Sequence, residues 1–411
     1  MTVMHDLLLL THRIPFPPNK GDKVRSFHLL RHLAQHYRVW LGTFVDDPDD
    51  WRQVGEVRRF CADVYCAPLN PRRARLWSLR GLATGEPLTL PYYRHAGLQT
   101  WVNRVVADQR IERALAFSSA MAQYLRNHAA LRRVMDFVDV DSAKWAQYAD
   151  GKPWPLNWIY RRESERLLSF ERTVAREFAA SVFVTAEEAA LFRRLAPDVP
   201  VERVIAVANG VDTDYFNPDR EYPNPYPAGE RVLVFTGAMD YWANVDAVDW
   251  FARTVFPDIY RAAPDIRFYI VGARPTAAVQ QLAILPGVTV TGTVPDVRPY
   301  LAHAEFSVAP LRIARGVQNK VLEAMAMGKP VLATSAAMEG IGPSQPIDSR
   351  FEKEMPEGVG VADQPEKLAQ QALALLTDRV GTRQRGCGNR EWVLRHYDWD
   401  RNLGRMLAVL A

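Results

Sequence analysis

The chain has 411 residues, 48% of them hydrophobic and 24% charged, with a formal net charge of +4. This ordinary globular composition excludes disorder, collagen and a coiled coil as overall descriptions. The longest apolar run near the start, Leu7 to Leu10, is far short of the ~20 residues that span a bilayer, and no cleavage site follows it. At roughly 150 residues per domain the length predicts two or three domains. The cysteines Cys61, Cys66 and Cys387 form neither a disulfide framework nor a CxxC pair, so a reducing cytoplasm is the expected compartment. Charge is uneven: residues 1–205 hold 30 Lys+Arg against 23 Asp+Glu (+7), and residues 206–411 hold 21 against 24 (−3). A basic first half suggests an anionic partner or a solvated surface.

In chain order, residues 6–11 read as a buried strand. A loop with Pro15, Pro17, Pro18 and Gly21 follows. Val24, Phe27, Leu30, Leu33 and Ala34 then recur at helical spacing. Further strands are predicted at 38–45, 62–67, 114–118, 134–140, 182–185 and 201–207, with one long charged helix over 155–178. The stretch 217–230 carries Pro218, Pro223, Pro225 and Pro227 and reads as a linker, because proline lacks the backbone donor that helix and sheet need. A second alternating series then starts. Its strands are predicted at 232–236, 268–271, 288–291, 306–311 and 330–334, and its helices at 245–263, 277–285, 297–304, 320–327 and 366–376. A terminal helix covers 401–410. Strands alternating with helices imply parallel sheets covered on both faces, with ligands at the carboxyl ends of the strands.

The strongest local signal runs from Arg312 to Val331: strand end, loop, short helix, Gly328 stop, strand. The loop and helix N-terminus present backbone N–H groups where an anion binds well. Lys320 adds a full charge in the first turn. Glu323, three residues on, shares its face and can accept hydrogen bonds from a ribose diol. An i,i+3 ion pair with Asn319 as N-cap is the reading without a ligand. Gly21 would let backbone approach a phosphate or sugar, or serve a plain β–α turn. Asp139-Val140-Asp141 spells DxD, and strand alternation would put both carboxylates on one side. A general base at Asp139, or a helix cap by Asp141 or Ser142, accounts for the same residues. Asn209-Gly210 suits a turn. Gly272 and Gly292-Thr293-Val294 lie at strand ends and suit a backbone-lined base pocket.

Together, residues 17–26, 136–142, 209–212, 235–242 and 312–331 resemble glycosyltransferase family 4. The likeness is closer still to the sugar transferases associated with exosortase and PEP-CTERM exopolysaccharide loci, and it covers nearly the whole chain. It implies an α/β GT-B fold: two doubly wound Rossmann-like domains facing a cleft, with a C-terminal helix crossing back to the first domain. The boundaries then fall at 1–211 with 396–411, a linker at 212–230, and a nucleotide-sugar domain at 231–395. Lys320, Glu323 and Asp139 are expected at the chemistry. Gly21, Gly237, Asp240, Gly272, Val294, Arg315, Gln318 and Asn319 are expected at the donor. The family's E-x7-E pair has its second glutamate at Glu323, whereas its first position is Arg315. The family's Arg/Lys pair after the first strand of the second domain is absent from Gly237–Asn244, which leaves Lys320 to neutralise the diphosphate.

The resemblance further implies retention of anomeric configuration, no metal, and no cofactor beyond the nucleotide-sugar co-substrate. The expected acceptor is a lipid-linked saccharide. Arg72, Arg73, Arg75, Trp77, Arg80, Tyr92, Tyr93 and Arg94 mix cations with interfacial aromatics, so an anionic membrane surface is a candidate partner and the inner membrane face a candidate location. A nucleotide-sugar epimerase or hydrolase, or a non-catalytic sugar-nucleotide-binding component of an exopolysaccharide complex, would share the fold. No GxGxxG opens a first helix and no GxxxxGK[ST] occurs, so a dehydrogenase and a P-loop kinase are not expected. No nucleic-acid motif accompanies the basic balance.

Overall fold

The computed structural model describes residues 4–18, 21–314, 316–342 and 355–411. It divides into two units, Met1–Ala208 with Asp400–Ala411, and Asn209–Trp399.

The first unit holds a seven-stranded parallel sheet. Its strands are β1 (His5–Thr11), β2 (Tyr37–Val45), β3 (Asp63–Pro68), β4 (Arg113–Phe117), β5 (Arg132–Val138), β6 (Ala180–Phe183) and β7 (Val204–Ala206), in the order β3-β2-β1-β4-β5-β6-β7. Leu7 to Leu10 of β1 have no exposed surface. A parallel strand covered by helices on both faces needs a continuous apolar run, and this one has it. The order reverses between β1 and β4. The expected strand over 134–140 stops at Val138, where β5 slips register against β6 and Val138 takes φ 69°. This bulge re-aims the chain, and Asp141 becomes the first residue of the helix Asp141–Asp150. Strand alternation therefore does not relate Asp139 to Asp141. The terminal helix Trp399–Leu410 lies largely in this unit: Arg113 Nε donates to the Leu410 carbonyl and Arg132 Nε to that of Val409, while His32 Nδ1 lies 2.8 Å from Asp400 Oδ1.

The second unit holds six parallel strands: β8 (Arg231–Thr236), β9 (Ile266–Val271), β10 (Val288–Gly292), β11 (Phe306–Ala309), β12 (Val331–Ala333) and β13 (Val359–Val361). Their order is β10-β9-β8-β11-β12-β13, so the reversal falls between β8 and β11. The helix expected over 245–263 is broken by a π turn at Phe251–Val255. Pro257 cannot donate to the carbonyl four residues back and crowds it, so the helix widens there. The stretch read as a linker groups with this unit, because Tyr226 is buried in its core and donates its hydroxyl to the Tyr300 carbonyl. Gly210 meets Trp399 so closely that a Cβ would sit 2.7 Å from its ring; close approach, rather than a positive-φ turn, requires glycine there.

Lys23 and Arg25, just beyond Gly21, are buried. Lys23 Nζ lies 2.6 Å from Asp50 Oδ2, and Arg25 Nε 2.9 Å from Asp136 Oδ2. The helix Gly21–Leu33 turns this face onto the sheet, where each cation needs a carboxylate to offset its desolvation. Burial pushes the Asp136 carboxyl up, and Arg25 opposes it. Asp136→Ala should therefore cost about 3–5 kcal/mol in urea unfolding of the first unit, because it strands a buried guanidinium. The double variant Arg25→Met/Asp136→Leu should recover most of that loss.

Candidate functional site

In a doubly wound sheet the loops on either side of the order reversal diverge and leave a crevice at the carboxyl ends. In the second unit those ends belong to β8 and β11. The chain leaving β11 enters the helix Asn319–Ala326, whose N-cap, Gln318, makes no side-chain capping bond. Lys320 lies in its first turn. Its Nζ donates to Asn244 Oδ1 at 2.6 Å and sits 4.7 Å from the centre of the Phe235 ring, a cation–π contact. Asn244 comes from the helix Trp242–Trp250 after β8, and its other amide atom donates to the Ala238 carbonyl at 2.8 Å. The amide is thereby fixed with its oxygen toward the ammonium. Burial lowers Lys320 to about 8, with Glu323 opposing; burial raises Glu323 to about 7, with Lys320 opposing. One anionic ligand on Lys320 would restore what burial takes away.

Gly272 and Gly237 pack the ends of β8 and β9 together. A Cβ on Gly272 would lie 1.6 Å from the Gly237 carbonyl oxygen, and one on Gly237 would meet the Asn244 amide at 2.8 Å. Both glycines thus hold the loop that holds Asn244. Asn319 Oδ1 is buried without a hydrogen-bond partner among the described residues. Asp240 pairs with Arg274 at 2.9 Å, and Val294 packs against the core of its unit. Arg315 lies outside the described residues. Tyr215 lies within electrostatic reach of Glu323, and the Arg298 guanidinium stacks 3.8 Å from the centre of its ring. Arg298 is itself forked onto Asp296, in the loop after β10.

In the first unit the reversal lies between β1 and β4, and the first polar residues after β1 form a network there. Arg13 bridges Asp22 (2.6 Å) and Asp46 (2.9 Å), and His12 Nε2 lies 3.1 Å from Asp22. Burial opposes the Asp22 charge, but His12 and Arg13 outweigh it and hold the carboxyl well below the usual range. The His12 ring stacks on Phe117 at the end of β4 and meets Tyr93 edge-on, and its Nδ1 has no partner among the described residues. Gly21 opens the helix that carries Asp22, with nothing within 4 Å of where its Cβ would be. Neighbouring Asn19 and Lys20 lie outside the described residues.

Asp139 follows the β5 bulge. Its Oδ2 accepts from Lys144 Nζ at 2.6 Å, and Asp141 Oδ1 lies 3.5 Å from the same ammonium. Burial works against the Lys144 charge, but these two carboxylates outweigh it and raise the ammonium. A base at Asp139 would have to act through Oδ1, which has no partner among the described residues. Ser142 Oγ donates to Glu171, which burial, with Asp141 adding, pushes up to about 8.

The structure thus gathers Lys320, Glu323, Gln318 and Asn319 on one helix beside Gly237 and Asn244. It turns Asp240 to Arg274 and leaves Gly21 and Asp139 in the first unit. Asn244, Tyr215, His12 and Arg13 were not singled out from sequence. For His12 and Arg13 the signal was available: they are the first polar residues after a strand of a doubly wound sheet.

Residues 230–378 match the family model described as glycosyl transferases group 1. No curated protein matches the chain. Among solved structures, the sucrose-phosphate synthase of Thermosynechococcus elongatus superposes with a TM-score of 0.68 at 16% identity over 98% of both chains. HepE of Anabaena, in complex with UDP-glucose, gives 0.64 at 13% identity over 98% of this chain and 100% of that one. WaaG, a glycosyltransferase involved in lipopolysaccharide biosynthesis, gives 0.64 at 16% identity over 99% of both. At such identities the superpositions establish the fold, two parallel-sheet Rossmann-like domains of the GT-B kind. With the site at the β8–β11 reversal lying inside the matched segment, residues 230–378 form a group 1 glycosyl transferase domain, and the chain is a glycosyltransferase.

Proposed function

We propose that the chain transfers a sugar from a nucleoside diphosphate donor to a lipid-linked saccharide in exopolysaccharide assembly, with retention and without a metal. The observation that carries this reading is the Lys320 ammonium at a helix N-terminus beside Glu323, at the carboxyl end of β11. As the glycosidic bond breaks, negative charge builds on the departing diphosphate. A cation and aligned N–H groups already in place stabilise that charge without reorganising. Glu323, once ionised, accepts from the ribose diol. HepE binds UDP and UDP-glucose, which makes a uridine donor the first to test. Retention and the exopolysaccharide setting rest on the motif resemblance. A metal-free mechanism is supported by Lys320 taking the diphosphate and by Lys144 already occupying the DxD carboxylates.

A cytoplasmic enzyme docked on the inner membrane face fits the first unit's surface. Leu76 and Trp77 are 71% and 57% exposed on the arginine-rich helix Pro71–Ser78, and Arg80 stacks on Trp77 at 4.5 Å. Trp154 and Trp158 are exposed at 80% and 54%. Apolar rings beside guanidinium groups suit a headgroup layer. The protein should pellet with anionic vesicles at low salt, and Arg72→Ala/Arg73→Ala/Arg75→Ala should release it. Equal pelleting of this variant would remove the membrane reading.

Lys320→Ala and Glu323→Ala should each lower turnover by about 10²–10³ with folding intact, measured as nucleotide release with and without an acceptor. Release that ignores the acceptor would identify a hydrolase instead. Affinity for UDP-glucose should peak between about pH 7 and 8. It weakens below 7 as Glu323 gains a proton, and above 8 as the Lys320 ammonium loses one. Glu323→Gln should flatten the acid limb and Lys320→Met the alkaline one in calorimetric titrations. Gly21→Ala meets open space and sits in a helix, so stability should hold or rise by about 0.5–1 kcal/mol. A fall in kcat/KM in that variant would then report a substrate passing close to Gly21.

A further inference from the structure

The first unit contains a cavity of about 800 Å3 that the chemistry above does not use. The turn Ser119–Tyr124, directly after β4, supplies Gln123 and Tyr124 to its wall, so it lies on the carboxyl side of the sheet. Tyr93 joins it to the β1–β4 reversal: its carbonyl accepts from the Tyr124 hydroxyl, and its ring meets His12. Three guanidinium groups line the cavity, those of Arg94, Arg126 and Arg166, against the single carboxylate of Glu86. Arg94 pairs with Glu86 and Arg126 with Glu177, whereas Arg166 has no partner among the described residues.

His95 and a helix N-terminus add donors to this wall, alongside amide and hydroxyl groups that both donate and accept. His95 Nδ1 accepts from the Leu98 N–H, which places the ring proton of a neutral imidazole on Nε2. The same bond caps the 13-residue helix Ala96–Asp108, whose Ala96 lines the cavity. The Ala96 and Gly97 N–H groups have no acceptor among the described residues, so the positive end of that helix adds to the arginines. Leu90 and Phe170 supply an apolar wall. A cavity with three guanidinium groups to one carboxylate, and an apolar side, matches an oxyanion on a sugar ring better than a neutral saccharide, which would leave that positive charge unanswered.

We infer that this cavity binds a carboxylate- or phosphate-bearing sugar residue of the acceptor, with Arg166 as its principal free cation. The inference rests on the glycosyl-transfer reading and names the acceptor's chemical class. The uncommitted guanidinium of Arg166 forms the charge-assisted bond. Arg94 and Arg126, each already holding one carboxylate, add field and shape.

The test is calorimetric or NMR titration of the full chain with glucuronic acid, glucose 6-phosphate, methyl glucoside and inorganic phosphate, each repeated on Arg166→Gln. UDP-glucose is titrated in parallel as a report on the donor site. The expected result is that at least one anionic sugar binds about tenfold or more tighter than methyl glucoside and tighter than inorganic phosphate. Glucuronic acid against glucose 6-phosphate then tells which oxyanion is preferred. Arg166→Gln should remove that preference and leave UDP-glucose affinity unchanged. Anionic sugars binding no better than methyl glucoside, or as well to Arg166→Gln, overturn the proposal. Inorganic phosphate matching the sugars overturns its saccharide part. Loss of UDP-glucose binding in the parent chain would instead count against the donor reading. Arg166 is exposed, so the substitution does not threaten folding.

Discussion

A lysine ammonium held at the end of a parallel sheet, over an aromatic ring and against one amide oxygen, is the contact around which the second unit is arranged. Burial works against its charge, and the neighbouring glutamate only partly offsets that, since Glu323 is itself pushed toward neutrality. The helix N-terminus beside it adds positive potential. In the free protein this is an unfavourable accumulation. On the proposed reading it becomes favourable when a diphosphate arrives, and more so as charge collects on the leaving group. The site is therefore polarised before the substrate binds, and the cost of arranging it is met by folding rather than at the moment of reaction.

The arrangement depends on backbone packing that tolerates no side chains. Gly272 abuts the Gly237 carbonyl, and Gly237 leaves room for the Asn244 amide. Asn244 in turn orients its oxygen at Lys320 because its nitrogen is engaged by Ala238. Gly272, read from sequence as lining a base pocket, and Gly237, expected at the donor, thus have a sufficient structural reason to be glycine. A defect at either would reach the ammonium through one amide group.

Much of the fold was legible. Alternating apolar runs and helical spacings located most strands and the 22-residue helix Leu156–Glu177, because parallel strands buried on both faces carry strong patterns. β13 was missed because it is three residues long with Gly360 at its centre. The helix Arg379–His396 was missed because its arginines and glycines blur the apolar period. At the site, Lys320 and Glu323 were legible from spacing within one helix. Asn244 was not, being 76 residues from its partner. The DxD reading failed for a local reason: a bulge at Val138 cancels the alternation on which it relied.

The basic first half shows why charge counted along a sequence says little until partners are known. Lys23, Arg25, Arg13 and Lys144 each hold one or two carboxylates, and two of these cations lie fully buried. Each is already engaged by carboxylates of its own unit. The excess that can act outward resides elsewhere: in the arginines around Trp77, and in Arg166 with its half-committed neighbours Arg94 and Arg126. These two groups are joined by chain, since the helix Arg80–Thr84 runs directly into Gly85 and Glu86 of the cavity wall, and Arg162 fastens Gly81 and Glu86 through their carbonyls. An amphiphile with an acidic sugar beside an apolar anchor is the kind of molecule that could meet both surfaces at once. On this unit the proposed acceptor cavity and the proposed membrane face accordingly share one continuous stretch of chain.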